Sequence, residues 1–159
     1  HRYSSAASDV YKRQGIDEER KAFSDDLGHS FNQTGFAIIK NHGLKKELTD
    51  ELYKVIKAFF DLEDEKKIKY YFPDLYGQRG YVVKGQEHAK GSKKGDLKEF
   101  FHIGNPSISN PQNIWPHEVE SFNEIGSEVF ITLENIGLTL LRAISMYLNL
   151  DINLSLIHI

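Results

Sequence analysis

The chain contains no cysteine. A disulfide framework and a thiolate-ligated metal site are therefore excluded. Proline is scarce, with four residues in 159, and three of the four fall between 105 and 116. No internal repeat or low-complexity tract occurs, and no apolar run approaches the roughly 18 residues of a membrane span. Positive charge is also short: 20 Lys and Arg against 23 Asp and Glu give a net charge of −3. An acidic balance argues against nucleic acid as a partner. What is present is 40% hydrophobic and 12% aromatic residues, a globular composition. The absence of cysteine is compatible with a cytoplasmic protein.

The two ends can be read from one DNA element. Asp9-Val10-Tyr11-Lys12-Arg13-Gln14 can be encoded by GAT GTG TAT AAG AGA CAG. The reverse complement of that string, CTG TCT CTT ATA CAC ATC, reads Leu-Ser-Leu-Ile-His-Ile, which is residues 154–159. The DNA is similar to the end of a sequencing-library transposon. Residues 1–14 and 154–159 are therefore expected to be adapter-derived, and 15–153 to be the biological segment. Without the ends, 17 basic residues stand against 22 acidic ones, a net charge of −5.

The stretch 77–104 organises the rest. Tyr81-Val82-Val83 and Phe100-Phe101-His102-Ile103 are β-favouring runs. Gly77, Gly80, Gly85, Gly91, Gly95 and Gly104 punctuate them, and Arg79, Lys84, His88, Lys90, Lys93, Lys94 and Lys98 make the stretch basic. Two short strands joined by a solvated, glycine- and lysine-rich connection account for this pattern. Gly91-Ser92-Lys93-Lys94-Gly95 lacks the spacing and closing Lys-Ser/Thr of a P-loop.

Residues 17–32 read as a helix, acidic in its first turn, with Phe23, Leu27 and Phe31 as its apolar stripe. Residues 35–39 are a short apolar run that reads as a buried strand, ended by Asn41-His42-Gly43. His42 there is a structural hydrogen-bonder or a ligand. Residues 44–60 form an amphipathic helix buried through Leu48, Leu52, Val55, Ile56, Phe59 and Phe60. A short helix over 61–69 follows, acidic first and basic last. Tyr70-Tyr71-Phe72-Pro73 closes it, as core packing or as a pocket wall. Residues 105–116 are a loop, anchored on the core by Trp115-Pro116. From 118 to 148 one helical pattern holds, through Val119, Phe122, Ile125, Val129, Leu133, Ile136, Leu140, Ile144 and Tyr147. It would span about 45 Å, with Gly126 and Gly137 as places where it bends or breaks.

Taken in order, these pieces resemble the N-terminal region of the isopenicillin N synthase-like iron/2-oxoglutarate dioxygenases. The resemblance is carried by Gly35-Phe36 through Asn41-His42-Gly43, Ala58-Phe59-Phe60 with Glu65-Lys66, and Gly77-Gln78-Arg79-Gly80-Tyr81. Glu87-His88-Ala89-Lys90-Gly91, Asp96-Leu97-Lys98-Glu99-Phe100, Asn113-Ile114-Trp115-Pro116 and the long helix complete it. It implies an α/β chain: a helix-rich N-terminal domain with a few strands that extend a double-stranded β-helix core absent from this chain. The implied organisation is a dioxygenase N-terminal domain over 15–117 and a long helix over 118–153 leading to that core. Strands without their sheet leave unpaired edges and uncovered apolar surface.

The resemblance implies a parent enzyme that uses Fe(II), O2 and 2-oxoglutarate on a small molecule, with no nucleic acid or membrane partner. The family holds iron with His-x-Asp and a distant His. His29, His42, His88, His102 and His117 all lack an acidic residue two positions later, so no catalytic, metal or cofactor-binding residue is assigned and the isolated chain is expected to be inactive. The resemblance places Arg79 and Tyr81 at the wall of the substrate pocket. Arg79 suits bidentate recognition of a carboxylate, or else it pairs with an acidic residue at the surface. Lys98 and Glu99 are expected to be structural partners in the sheet. Two other readings stay open: a non-catalytic interaction module binding an anionic partner through the basic connection, and an oxidase of the isopenicillin N synthase type that does not use 2-oxoglutarate.

Overall fold

The computed structural model describes residues 17–86 and 95–154. Of the expected adapter ends, 1–14 and 154–159, all but Leu154 lie outside the described residues, as does the basic centre of the connection with His88, Lys90, Gly91, Lys93 and Lys94. Lys45–Ile131 forms one compact unit, the middle unit. Of the described residues, 17–44 and 132–154 form a second, the terminal unit.

In the terminal unit, helix α1 (Asp17–Thr34) carries Asp17, Glu18 and Glu19 in its first turn, where the helix dipole favours negative charge. Phe23 and Leu27 are fully buried with Ala143, and the Ser24 hydroxyl donates to the Ala143 carbonyl at 2.6 Å. Gly28 lies under the Tyr147 ring, only 2.2 Å from where a Cβ would stand. Ser24 meets Ala143 and Gly28 meets Tyr147, so the next turn of α1 passes the end of the opposing helix. Phe31, expected in the stripe, is accordingly 42% exposed.

Residues 36–39 form no ladder with any described residue. This corrects the expected buried strand. Ala37 and Ile39 pack on the Phe23 cluster, while Phe36 and Ile38 are 80% and 56% exposed. The two-residue alternation of an extended chain is present, but a strand needs a partner for its backbone groups. His42 Nδ1 accepts from the Leu44 amide at 3.2 Å, so it serves the turn, with Asn41 and Gly43 at positive φ.

The middle unit begins with α2 (Lys46–Phe60), whose six expected core positions are all buried or half-buried. Helix α3 (Asp64–Lys67) runs into a 3-10 turn, Ile68–Tyr70. Strands β1 (Gly80–Val82) and β2 (Phe100–His102) pair antiparallel in the register Gly80↔His102, Tyr81↔Phe101, Val82↔Phe100. A bond from the Gly85 amide to the Asp96 carbonyl, 2.7 Å, extends the ribbon. Gly80 has φ +75°, and a Cβ there would stand 2.5 Å from the Tyr70 carbonyl oxygen, so only glycine fits. Phe59 is the hub of the core, edge-on to Phe60, Tyr70, Tyr81, Phe101 and Phe122 at 4.8–5.9 Å. Such pairs add to the area they bury.

Helix α4 (Phe122–Tyr147) starts four residues later than its apolar pattern, because Ser121 takes φ +60°, a conformation a right-handed helix does not admit. It contributes its first turns to the middle unit and the rest to the terminal unit. Neither glycine breaks it. Gly126 instead lets Ile103 and Trp115 approach, the first within 2.8 Å of its absent Cβ. Of the expected apolar positions, Leu133 is 50% exposed. By length and composition α4 is apolar enough to cross a membrane, with a hydropathy of 1.4. Its Phe122, Val129, Ile136 and Ala143 are buried at heptad spacing, one stripe along the helix.

Candidate functional site

The β1–β2 ribbon and α3 gather a cluster of charged groups. Glu99, just before β2, is the centre. Its Oε2 accepts from the Tyr81 hydroxyl at 2.6 Å and from Lys67 Nζ at 3.1 Å, and its Oε1 lies 3.4 Å from Lys84 Nζ. Lys67 is 3% exposed and also meets Asp64 at 3.0 Å, with its ammonium 5.8 Å from the Tyr81 ring centre. Burial pushes the Glu99 carboxyl up. The hydrogen bonds from Tyr81 and Lys67 and the nearby ammonium groups outweigh that and hold it below the ordinary carboxylate range. Burial and the Glu99 carboxylate together push the Tyr81 phenol up to about 12. Burial alone would lower Lys67, but its bonds to Asp64 and Glu99 raise it. Lys67 and Tyr81 are buried and Glu99 half-buried, while Asp64 and Lys84 reach in from the surface, so removing Glu99 would strand the Lys67 ammonium.

Tyr81 thus stands in the core with its hydroxyl committed to Glu99. Arg79, two residues earlier, is half-buried and has a different environment. Its guanidinium lies against Gly104: a Cβ there would stand 2.0 Å from Cζ and 2.2 Å from Nη2. Nη1 donates to the Gln78 carbonyl at 2.7 Å, and Nε is buried with no hydrogen-bond partner among the described residues. No carboxylate among the described residues comes within ion-pair distance of Arg79. The expected surface ion pair is therefore not made among them. Glu99 is the sheet partner the sequence pointed to. Lys98 instead pairs with Asp96 at 2.7 Å and lies 5.7 Å from the Phe100 ring centre.

Lys67 and Gly104 escaped the sequence reading. Lys67 looked like the basic end of a short helix, and its only other signal was the i, i+3 spacing from Asp64. Nothing in the sequence marks Gly104 as a seat for Arg79, because that closeness exists only across the ribbon. A hollow of about 500 Å³ lies beside Lys69, Tyr70, Phe72, Ile114, Trp115 and His117. Tyr70 belongs to both core and hollow. Its hydroxyl donates to Glu118 and accepts from the His117 amide at 3.0 Å, and burial, with that carboxylate, raises its pKa.

Among the described residues no three His, Asp or Glu side chains come together to hold a metal ion. His102 Nδ1 is hydrogen-bonded to the Gly77 carbonyl, His29 packs edge-on to Tyr147, and His42 serves its turn.

Residues 8–118 match the family model for the N-terminal region of the non-haem dioxygenase in morphine synthesis. The chain is 33% identical over 118 residues to leucoanthocyanidin dioxygenase from Malus domestica, covering 74% of this chain and 33% of that one. It is 30% identical over 149 residues to a 2-oxoglutarate-dependent dioxygenase from Aspergillus rugulosus, covering 83% and 45%. Among solved structures, a 2OG-Fe(II) oxygenase family protein from Caulobacter crescentus superposes with a TM-score of 0.78 at 31% identity, covering 96% of this chain and 50% of that one. A full-length Neurospora crassa protein solved in complex with alpha-KG shares the fold, with a TM-score of 0.76 at 23% identity over 89% and 46%. The chain spans half or less of the length of these relatives. Matched over most of its length by the family model, this chain belongs to the non-haem dioxygenase N-terminal family.

Proposed function

We propose that this chain is the pocket-walling N-terminal part of a cytoplasmic Fe(II)- and 2-oxoglutarate-dependent oxygenase that acts with O2 on a small molecule bearing a carboxylate. The family match and the oxygenase relatives support the reaction class. The described residues do not fit iron, since a site of this class needs two His and one carboxylate converging on one point and no such group forms among them. The metal and co-substrate would therefore be held by a double-stranded β-helix elsewhere in the parent.

What this chain supplies is orientation. The observation that carries the role is Arg79: a half-buried guanidinium with a donor left unpartnered on a ribbon whose own carboxylate, Glu99, is already satisfied. A charged donor fork with no counter-ion among the described residues is suited to a ligand carboxylate. Tyr81, locked to Glu99, fixes the strand that begins one residue after Arg79. The test is to express the intact reading frame and measure conversion of 2-oxoglutarate to succinate in a panel of carboxylate-bearing small molecules. Substrate-stimulated succinate formation that requires added ferrous iron is expected. A parent that forms none with any carboxylate, under ferrous iron and O2, would overturn the reading.

A further inference from the structure

We infer that Gly104, clamped by Asn113, is the positioning residue that sets where the Arg79 guanidinium points. The inference rests on the carboxylate-recognition reading above and extends it to residues outside the ribbon's strands. Gly104 forms a two-bond bridge with one side chain: its amide donates to Asn113 Oδ1 at 2.7 Å, and Asn113 Nδ2 donates to its carbonyl at 2.8 Å. The carboxamide plays the part of a neighbouring strand and gives both backbone groups of Gly104 a partner. Arg79 then lies on this seat, with Cζ, Nη2 and Nε all within 2.4 Å of the position a Cβ would take. On the other side, the His102–Gly77 hydrogen bond ties the approach to Arg79 onto β2.

Three consequences follow from the geometry. The Gly104 carbonyl faces Asn113, so it does not consume a guanidinium donor. Of the five N–H donors of an arginine, the described residues take one, through the Gln78 carbonyl. Any side chain at 104 must displace the guanidinium. Because the displaced group is the far end of a flexible chain, a methyl there moves Arg79 rather than the backbone, and the fold survives.

The test titrates the full chain, labelled with ¹⁵N at arginine, with glutarate as the carboxylate probe and glutaramide as its neutral counterpart. Expected is a saturable glutarate shift at the Arg79 Nε–H signal that glutaramide does not produce. Gly104→Ala should weaken glutarate at least about tenfold, the scale of one charge-assisted bond pair, with the other amide signals unmoved. Asn113→Ala, which frees the seat without filling it, should weaken it about threefold by the same scale. Absence of the Arg79 shift in the natural sequence overturns the inference. So does affinity within about twofold of it in Gly104→Ala, or in Asn113→Ala should the glycine variant not fold. A parent without 2-oxoglutarate turnover would retire the oxygenase reading and leave these affinities standing. Unchanged affinities would retire the seat and leave the turnover standing.

Discussion

The two units are built on different physics. The middle unit has a hub: Phe59, fully buried, with five rings around it, and a buried charge cluster in which Lys67, Tyr81 and Glu99 satisfy one another. The terminal unit has a seam. Its fully buried cluster is Phe23, Leu27 and Ala143, its polar pin is Ser24 on a carbonyl, and Phe36 and Ile38 stay exposed. A hub with polar partners specifies one arrangement, because each lost contact also strands a buried group. A seam of small and apolar residues with one polar pin depends mostly on area, and area is forgiving.

The largest expected effect tests the hub. Phe59→Ala should cost about 3–5 kcal/mol, as a buried aromatic deletion does, and should collapse hydrogen-exchange protection in β1 and β2 together. Leu27→Ala, about 2–4 kcal/mol by the same measure, should lower protection in α1 while the ribbon amides keep theirs. Loss of both regions in either variant would erase the distinction.

The next effect separates the units by pH. Tyr81 has its pKa raised to about 12 when folded, so its contribution is complete below the ordinary phenol value near 10 and is lost as pH rises from 10 through 12. Lys67, also raised, loses its contribution in the same direction. The middle unit should therefore weaken by about 2–3 kcal/mol across that window, followed by tyrosine absorbance and amide exchange, while the terminal unit holds. Tyr81→Phe should flatten the dependence. An equal alkaline loss in both units would show that the cluster does not set it. Glu99 works at the other end: held below the ordinary carboxylate range, its share is present above that range and lost as pH falls through its depressed value.

The smallest effect is a control. Lys21 and Asp25 meet at 2.7 Å on α1 with side chains 70% and 40% exposed. Solvent and salt screen such pairs, so Lys21→Ala should leave the melting temperature of the terminal unit unchanged within error. A clear drop would mean that surface charge, not the seam, holds that unit.

Where burial repeats at a helical step, the sequence was enough. The α2 face from Leu48 to Phe60 and the pattern of α4 were both legible, because a 3.6-residue period is written into the order of residues. The ribbon was legible for the same kind of reason, from β-favouring runs and their glycines. Residues 35–39 were not: an apolar run shows a taste for extended backbone but not whether a partner strand stands beside it. Arg79 and Tyr81 were picked out by resemblance, and they proved to have unlike surroundings.

By itself the sequence determined the helices, the two paired strands and the family, since all three depend on local periodicity and ordered motifs. The tertiary structure alone decided that Lys67 is buried under Glu99, that Tyr81 is spent inside the core, and that Gly104 lies beneath Arg79. Those outcomes depend on distances between residues 18 to 32 positions apart in the case of the Glu99 bonds, and a linear order of side chains contains no such distances until the chain has folded.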